Sequence, residues 1–186
     1  MACRKGGLMA FQVLDTPFDD AKIYVPDVFE DDRGFFKETY NEKRYRDAGL
    51  TDTFVQDSVS FSTRNVIRGL HFQAGMSKFV QVLRGKIWDV IVDVRDGSAT
   101  FGKWHGFYLS EHNHRQLYVP EGFAHGFLSL TDDTIFNYKH GALYDPKLER
   151  AVRWNDPELA IAWPLAGPAR VSPKDEAAPL FSTLRS

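Results

Sequence analysis

Glycine and proline interrupt this chain about every ten residues, the spacing expected of short strands joined by tight turns. The marks include Pro17, Pro26, Gly34, Gly49, Gly69, Gly75, Gly85, Gly97, Gly106, Pro120, Gly126, Gly141 and Pro146. Between them lie short runs rich in Val, Ile, Phe and Tyr, side chains that suit a half-buried pleated surface. Runs at 78–83 and 86–94 flank Arg84-Gly85, which reads as a hairpin turn. Further strands are predicted over 104–109, 115–119, 123–128 and 134–139. One helix is predicted over 41–48, closed by Gly49. The pattern argues for a β-sandwich or barrel, with a ligand held in its mouth. Residues 11–186 are expected to form a single domain, preceded by a frayed leader at 1–10.

Composition narrows the classes further. The 186 residues include 15 Phe, 7 Tyr and 4 Trp, enough apolar surface to rule out a disordered chain. Lys and Arg total 23 against 25 Asp and Glu, a net charge of -2, which argues against charge-driven nucleic-acid binding. The most apolar run, 87–94, is broken by Asp89 and Asp93 and falls short of the roughly 20 apolar residues that span a membrane. A single cysteine, Cys3, leaves no internal disulfide framework and no cysteine-based zinc site, which points to a reducing, cytoplasmic setting.

Polar side chains collect where packing alone does not call for them. In the run at 86–94, Ile87, Asp89, Ile91 and Asp93 share one face and Trp88, Val90, Val92 and Val94 the other. Two carboxylates beside two isoleucines are unusual for plain core. His71 follows Arg68 by three residues, and His125 stands in an apolar Phe123-Ala-His-Gly-Phe127 run. Either histidine suits proton transfer near neutral pH, and either suits an ordinary core position bonded to a carbonyl. Tyr138, Lys78 and Asp175 have equally plain alternatives in sheet packing and solvated charge. Arg33, Glu38, Arg68 and Glu149 have theirs in surface ion pairs of little energetic weight. His71, His125 and Asp89 are the residues that could hold a metal, but the compact His-x-His plus Glu set of many metal-binding barrels is absent, and His112-x-His114 reads as a polar turn. No serine elbow, phosphate loop or dinucleotide fingerprint is present.

Taken in order, the motifs resemble one family, the dTDP-4-dehydrorhamnose 3,5-epimerases of the cupin class. The resemblance rests on Asp32-Arg-Gly-Phe-Phe-Lys-Glu38, Val55-Gln-Asp57, Arg68-Gly-Leu-His-Phe-Gln73 and Gly97-Ser-Ala-Thr-Phe-Gly-Lys-Trp104. It continues through Arg115-Gln-Leu-Tyr-Val-Pro-Glu-Gly-Phe-Ala-His-Gly-Phe127, Tyr138-Lys139, Trp154-Asn-Asp-Pro157 and Ser172-Pro-Lys-Asp175. Together the matches run from about residue 20 to 180.

The resemblance implies an all-β double-stranded β-helix, the jelly-roll barrel of the cupins, with short flanking helices, no metal and no organic cofactor. It implies a nucleotide-sugar substrate, dTDP-4-keto-6-deoxyglucose, inverted at C3 and C5. By the same resemblance His71 is the base, Asp175 its carboxylate partner, Tyr138 the acid on the opposite face and Lys78 the cation at the C4 oxygen. Arg33, Glu38, Gln56, Asp57, Ser58, Arg68, His125, Glu149 and Lys174 fall at substrate-binding positions. It further implies a homodimer in which an exchanged N-terminal segment carries Arg33 and Glu38 into the partner's site. Alternatives are an epimerase acting at C3 or C5 alone, a sugar-binding jelly roll without activity and a metal-dependent cupin.

The chain departs from the family pattern near the expected pocket. The segment at 72–77 is shorter than usual and lacks the common Pro-Pro and Ala-Gln elements. Gln81 stands where many members carry Arg, and Ser58 where many carry Asn. Gly141 and Leu143 replace residues that are commonly Thr and Tyr. These changes are expected to fall around the sugar and diphosphate while leaving the acid and base in place.

Overall fold

The computed structural model describes residues 11–185, so the expected leader at 1–10, with Cys3, lies outside the described residues. The chain runs through β1 (Phe11–Asp15), β2 (Lys22–Pro26), β3 (Val28–Asp31), β4 (Gly34–Lys37), α1 (Glu42–Asp47), β5 (Gln56–Ser62), β6 (Ile67–Gln73) and β7 (Lys78–Arg84). It continues through β8 (Lys86–Asp93), β9 (Trp104–Ser110), β10 (Gln116–Val119), β11 (Phe123–Ser129), β12 (Thr134–His140), β13 (Glu149–Ala151) and α2 (Pro173–Glu176) to a 3-10 turn at Phe181–Leu184. One antiparallel sheet has the order β1-β2-β10-β7-β12-β5 and the other β13-β6-β11-β8-β9, while β3 and β4 form a separate hairpin. Two facing sheets whose neighbouring strands are distant in sequence make a jelly roll, as the resemblance implied.

All six predicted strands form, each ending within one residue of its expected bounds. The helix forms as well. Asn41 caps it by accepting from the Arg44 N–H at 3.1 Å, and the chain turns out through Gly49 at φ 95°.

The hairpin between β7 and β8 does not form. The partners of β7 are β10 and β12, and those of β8 are β11 and β9, so the Gly85 turn carries the chain from one sheet to the other. A local hairpin would gain only backbone bonds that other neighbours supply equally. Crossing between sheets lets Val80 and Val82 of β7 face Ile87 and Ile91 of β8 in one core, with Leu117, Phe127 and Phe136. Gly85 sits at φ 84°, and a Cβ there would stand 2.3 Å from Thr131 Oγ1.

Each sheet also has a covered outer face. Val90, Val92 and Ala124 pack beneath the C-terminal segment through Leu159 and Phe181. Tyr24 and Phe79 pack against Tyr45 of α1. Apolar side chains thus fill one end of the space between the sheets. The other end is lined by polar groups.

Candidate active site

A cavity of about 450 Å3 opens between the sheets. His71 stands on one wall, from β6, directly across the ladder from His125 of β11. The two strands approach closely because Gly69 and Gly126 meet there. A Cβ on Gly69 would lie 2.5 Å from Gly126 Cα. His71 Nε2 lies 2.6 Å from Asp175 Oδ1, and the Gly69 N–H donates to Asp175 Oδ2 at 3.3 Å. Asp175 is set by the first turn of α2, where its own N–H donates to the N-cap hydroxyl of Ser172 at 3.1 Å. Its side chain is only 5% exposed. Burial is the largest influence on this carboxyl and opposes its charge, but the hydrogen bonds from His71, Gly69 and Ser172 together hold it below the ordinary carboxylate range. Asp175 is therefore an anion at neutral pH. With Nε2 engaged, Nδ1 is the ring nitrogen left to take a proton.

The opposite wall comes from the other sheet. Lys78 begins β7, is buried, and donates through Nζ to the His71 carbonyl at 2.9 Å. Burial pushes its ammonium down to about 8, against the pull of the Asp89 and Glu149 charges. Tyr138 of β12 donates to or accepts from Ser60 Oγ at 3.1 Å, and burial raises its phenol, so the hydroxyl keeps its proton at neutral pH. Gln56, Ser58 and Ser60 alternate along β5 and share the cavity face.

His125 sits one layer deeper than His71. Its Nε2 is 3.0 Å from both oxygens of Asp89, and its ring stands edge-on to Tyr138 with centroids 6.5 Å apart. Both partners are buried. Desolvation drives the imidazole down and the carboxyl up, so His125 stays neutral. The buried charge of Asp89 also acts on Lys78, which draws the Ile87-Asp89-Ile91 face of β8 into the electrostatics of the site.

At the rim, Tyr144 donates from its hydroxyl to Glu149 Oε2 at 3.0 Å, and Lys174 pairs with the same oxygen. Arg68 is exposed here and donates to Ser62 Oγ at 3.1 Å and to the Phe61 carbonyl at 3.0 Å. The segment bearing Tyr144 is held by Gln73, which donates to the Leu143 carbonyl and accepts from the Asp145 N–H, and by Gln56, which accepts from the Tyr144 N–H.

Of the expected site residues, His71, Tyr138, Asp175, Lys78, Gln56, Ser58, Arg68, Glu149 and Lys174 meet at this one cavity. Asp57 does not, because it alternates to the outer face of β5, where Lys139 donates to it at 2.9 Å. Arg33 and Glu38 also lie away from the chain's own cavity. Arg33 is 86% exposed and pairs with Asp31, while Glu38 pairs with Arg44. Gln81, expected near the pocket, faces outward with Phe79. It joins a buried amide chain, accepting from Gln116 Nε2 at 3.2 Å and donating to Asn137 at 3.3 Å. His114 is not simply solvated: its ring packs on Phe35 and lies 3.3 Å from Lys37 Nζ. Among the described residues, no three His, Cys, Asp or Glu side chains converge as a metal site.

His140, Ser60, Gln73 and Ser172, to which the sequence by itself gives no role, also line or brace the cavity. For His140 a signal existed, since a strand residue two places after Tyr138 must share its face.

The fold and its cavity define the class as a cupin-type jelly roll with a polar cavity between its two sheets. Residues 15–183 match the family model described as dTDP-4-dehydrorhamnose 3,5-epimerase. A dTDP-4-dehydrorhamnose 3,5-epimerase of Methanothermobacter thermautotrophicus is 48% identical over 157 residues, covering 83% of this chain and 85% of the relative. Among solved structures, a dTDP-6-deoxy-D-glucose-3,5-epimerase from Legionella pneumophila, in complex with dTDP-4-keto-L-rhamnose, superimposes with a TM-score of 0.90 at 45% identity, covering 93% of this chain and 94% of that one. A dTDP-4-dehydrorhamnose 3,5-epimerase from Bacillus anthracis with TDP and PPi bound gives 0.88 at 50% identity, covering 92% and 99%. The chain belongs to the dTDP-4-dehydrorhamnose 3,5-epimerase family.

Proposed function

We propose that this protein epimerises dTDP-4-keto-6-deoxy-D-glucose at C3 and C5, giving the 4-keto sugar of L-rhamno configuration with its own side chains and no metal or organic cofactor. The observation that carries this is the division of labour between the walls: a carboxylate-braced histidine on one sheet, and a protonated tyrosine with a buried lysine on the other.

C3 and C5 both adjoin the C4 ketone, so loss of either proton gives an enolate. His71 Nδ1 takes the proton, and the electron pair of the C–H bond moves onto the C4 oxygen. Asp175 holds the ring through Nε2 and stabilises the imidazolium that forms. Lys78 supplies positive charge where the enolate charge develops, in a partly dry site where fixed charge acts strongly. Tyr138 then gives its proton to the opposite face of the carbon, which inverts it. His71 ends protonated and Tyr138 deprotonated, so exchange with solvent resets the pair between centres. At the rim, Arg68 and Lys174 suit the diphosphate, Arg through bidentate charge-assisted bonds. Gln56, Ser58, Glu149 and His125 complete the substrate set by binding or by backing it.

The active form we infer is a homodimer with exchanged N-terminal segments. The β3–β4 hairpin supports this, since it holds Phe29, Phe35 and Phe36 out to solvent, Phe36 at 63% exposure. An aromatic patch of this kind marks an interaction surface. Docked on a partner, the same hairpin would bring Arg33 and Glu38 to the partner's cavity. The single cysteine supports a reducing, cytoplasmic location.

Proton NMR with dTDP-4-keto-6-deoxyglucose in deuterated buffer tests the reaction. Deuterium entering at both C3 and C5, with inversion at each, is the expected result. Entry at one centre would make the protein a monoepimerase, and entry at neither would overturn the proposal.

A further inference from the structure

His140 has no part in the proton transfers just described, yet it lines the same cavity. It ends β12, opposite Lys78 on one side of the ladder and Gln56 on the other. Its ring lies parallel to that of Tyr138, 11° between planes and 5.9 Å between centroids, so the sheet fixes its orientation. Both ring nitrogens are buried, and neither has a hydrogen-bond partner. Two buried, unpaired polar atoms on one half-buried ring are uncommon in a folded protein and call for a partner that arrives later.

We infer that His140 is a substrate-binding residue that hydrogen-bonds the hydroxyl groups of the sugar ring in the cavity, an assignment that rests on the nucleotide-sugar reading above. The neutral state of the ring supports a hydroxyl over a phosphate. Burial first, then the nearby charge of Lys78, pushes the imidazole down to about 4, so at neutral pH it offers one donor and one acceptor. A sugar hydroxyl both donates and accepts and can satisfy either nitrogen. A phosphate only accepts and favours the exposed cations Arg68 and Lys174 at the rim. The sugar ring would thus lie against the paired rings of Tyr138 and His140, with its hydroxyls turned to the imidazole and its ketone to Lys78.

The test compares two probes by calorimetry: dTDP, which has no sugar, and dTDP-glucose, which lacks the 4-ketone and is not turned over. In the wild-type protein the sugar should add affinity over dTDP alone. His140→Phe keeps a flat ring and removes both nitrogens; it should weaken dTDP-glucose about tenfold and leave dTDP within about twofold. His140→Asn, which restores a donor and an acceptor, should recover part of the loss. Equal weakening of both probes would assign His140 a structural role and overturn the inference, as would no change in either. Should His140→Phe fail to fold, the ring nitrogens of 15N-labelled wild-type protein decide. Their resonances, assigned by absence in His140→Asn, should move with dTDP-glucose and not with dTDP, and immobility with both would overturn the assignment. A wild-type protein that binds neither probe would sink the nucleotide-sugar reading itself, an outcome separate from the others.

Discussion

Asp175 Oδ1 lies 2.6 Å from Nε2 of His71, a residue 104 positions earlier in the chain. The contact ties a four-residue C-terminal helix to a strand of the second sheet and fixes which imidazole nitrogen faces the cavity. His71→Ala should lower kcat by about 10²–10⁴-fold, the range for a lost general base, with dTDP-glucose affinity largely kept. Asp175→Asn should also lower kcat, because the ring loses its enforced tautomer. Steady-state kinetics and calorimetry on both variants check this. Parallel loss of binding in His71→Ala would make His71 a binding or folding residue.

Lys78 sets the basic side of the pH profile. A lysine is cationic below its pKa and neutral above it, so enolate stabilisation falls away as pH rises through about 8. The kcat/KM of the wild-type protein, which reports the groups of the free enzyme, should therefore decline above that pH. Lys78→Met should cost about 10²–10³-fold at neutral pH, typical of removing one group from a developing oxyanion. A profile flat to pH 10 would remove Lys78 from this role.

Tyr138→Phe separates the two halves of each inversion. His71 remains, so deuterium should still exchange into the substrate on the original face. Inversion should fall far more than exchange, because the donor on the other wall is gone. NMR following exchange and configuration in one sample reads both, and unchanged inversion would acquit the tyrosine.

Segment exchange predicts complementation. A chain carrying Arg33→Ala and Glu38→Ala keeps its own His71, and a His71→Ala chain keeps its own hairpin. Each homodimer should be weakly active. Refolding the two together should restore activity, since one cavity of the mixed dimer then combines an intact His71 with an intact partner hairpin. Failure of the mixture to exceed the sum of its parts would argue that the hairpin serves its own chain or no site at all.

Asp93 is the acid-sensitive anchor of the loop after β8. It accepts from the Arg95 N–H and guanidinium at 2.9 and 2.7 Å, and from the Ser98 and Thr100 hydroxyls at 2.6 and 2.5 Å. Burial opposes its charge most, but these bonds outweigh it and hold the carboxyl down to about 2. The unfolded chain titrates near 4, so the stability gained is fully present above about pH 4 and is lost as pH falls towards 2. Asp93→Asn should cost about 2 kcal/mol at pH 7 in urea unfolding, and the gap to wild type should narrow below pH 4. A gap independent of pH would contradict this.

Much of the protein was legible in local pattern. Alternation and turn chemistry located β7 to β12 and helix α1, because strands and caps are specified by neighbours in sequence. The ordered motifs carried the family, and with it His71, Tyr138 and Asp175, because each motif is a short contiguous string; Lys78 lies in none of them and came only with the resemblance. Asp89 declared itself as a carboxylate among isoleucines, which only a polar interior can accommodate.

Long-range choices were decided by the tertiary structure alone. Gly85 permits a turn, but whether that turn closes a hairpin or crosses between sheets depends on which packing buries Val80, Val82, Ile87 and Ile91 together. Gln81 and Asp57 have polar character that suits a pocket, yet the face of the sheet they occupy is set by register with strands far along the chain. The pairing of His71 with Asp175 and the two empty nitrogens of His140 arise only when strands from both sheets and the C-terminal helix close on one cavity. Residue type sets what a side chain can do, while burial and partners, which the sequence does not order locally, set whether it is placed to do it.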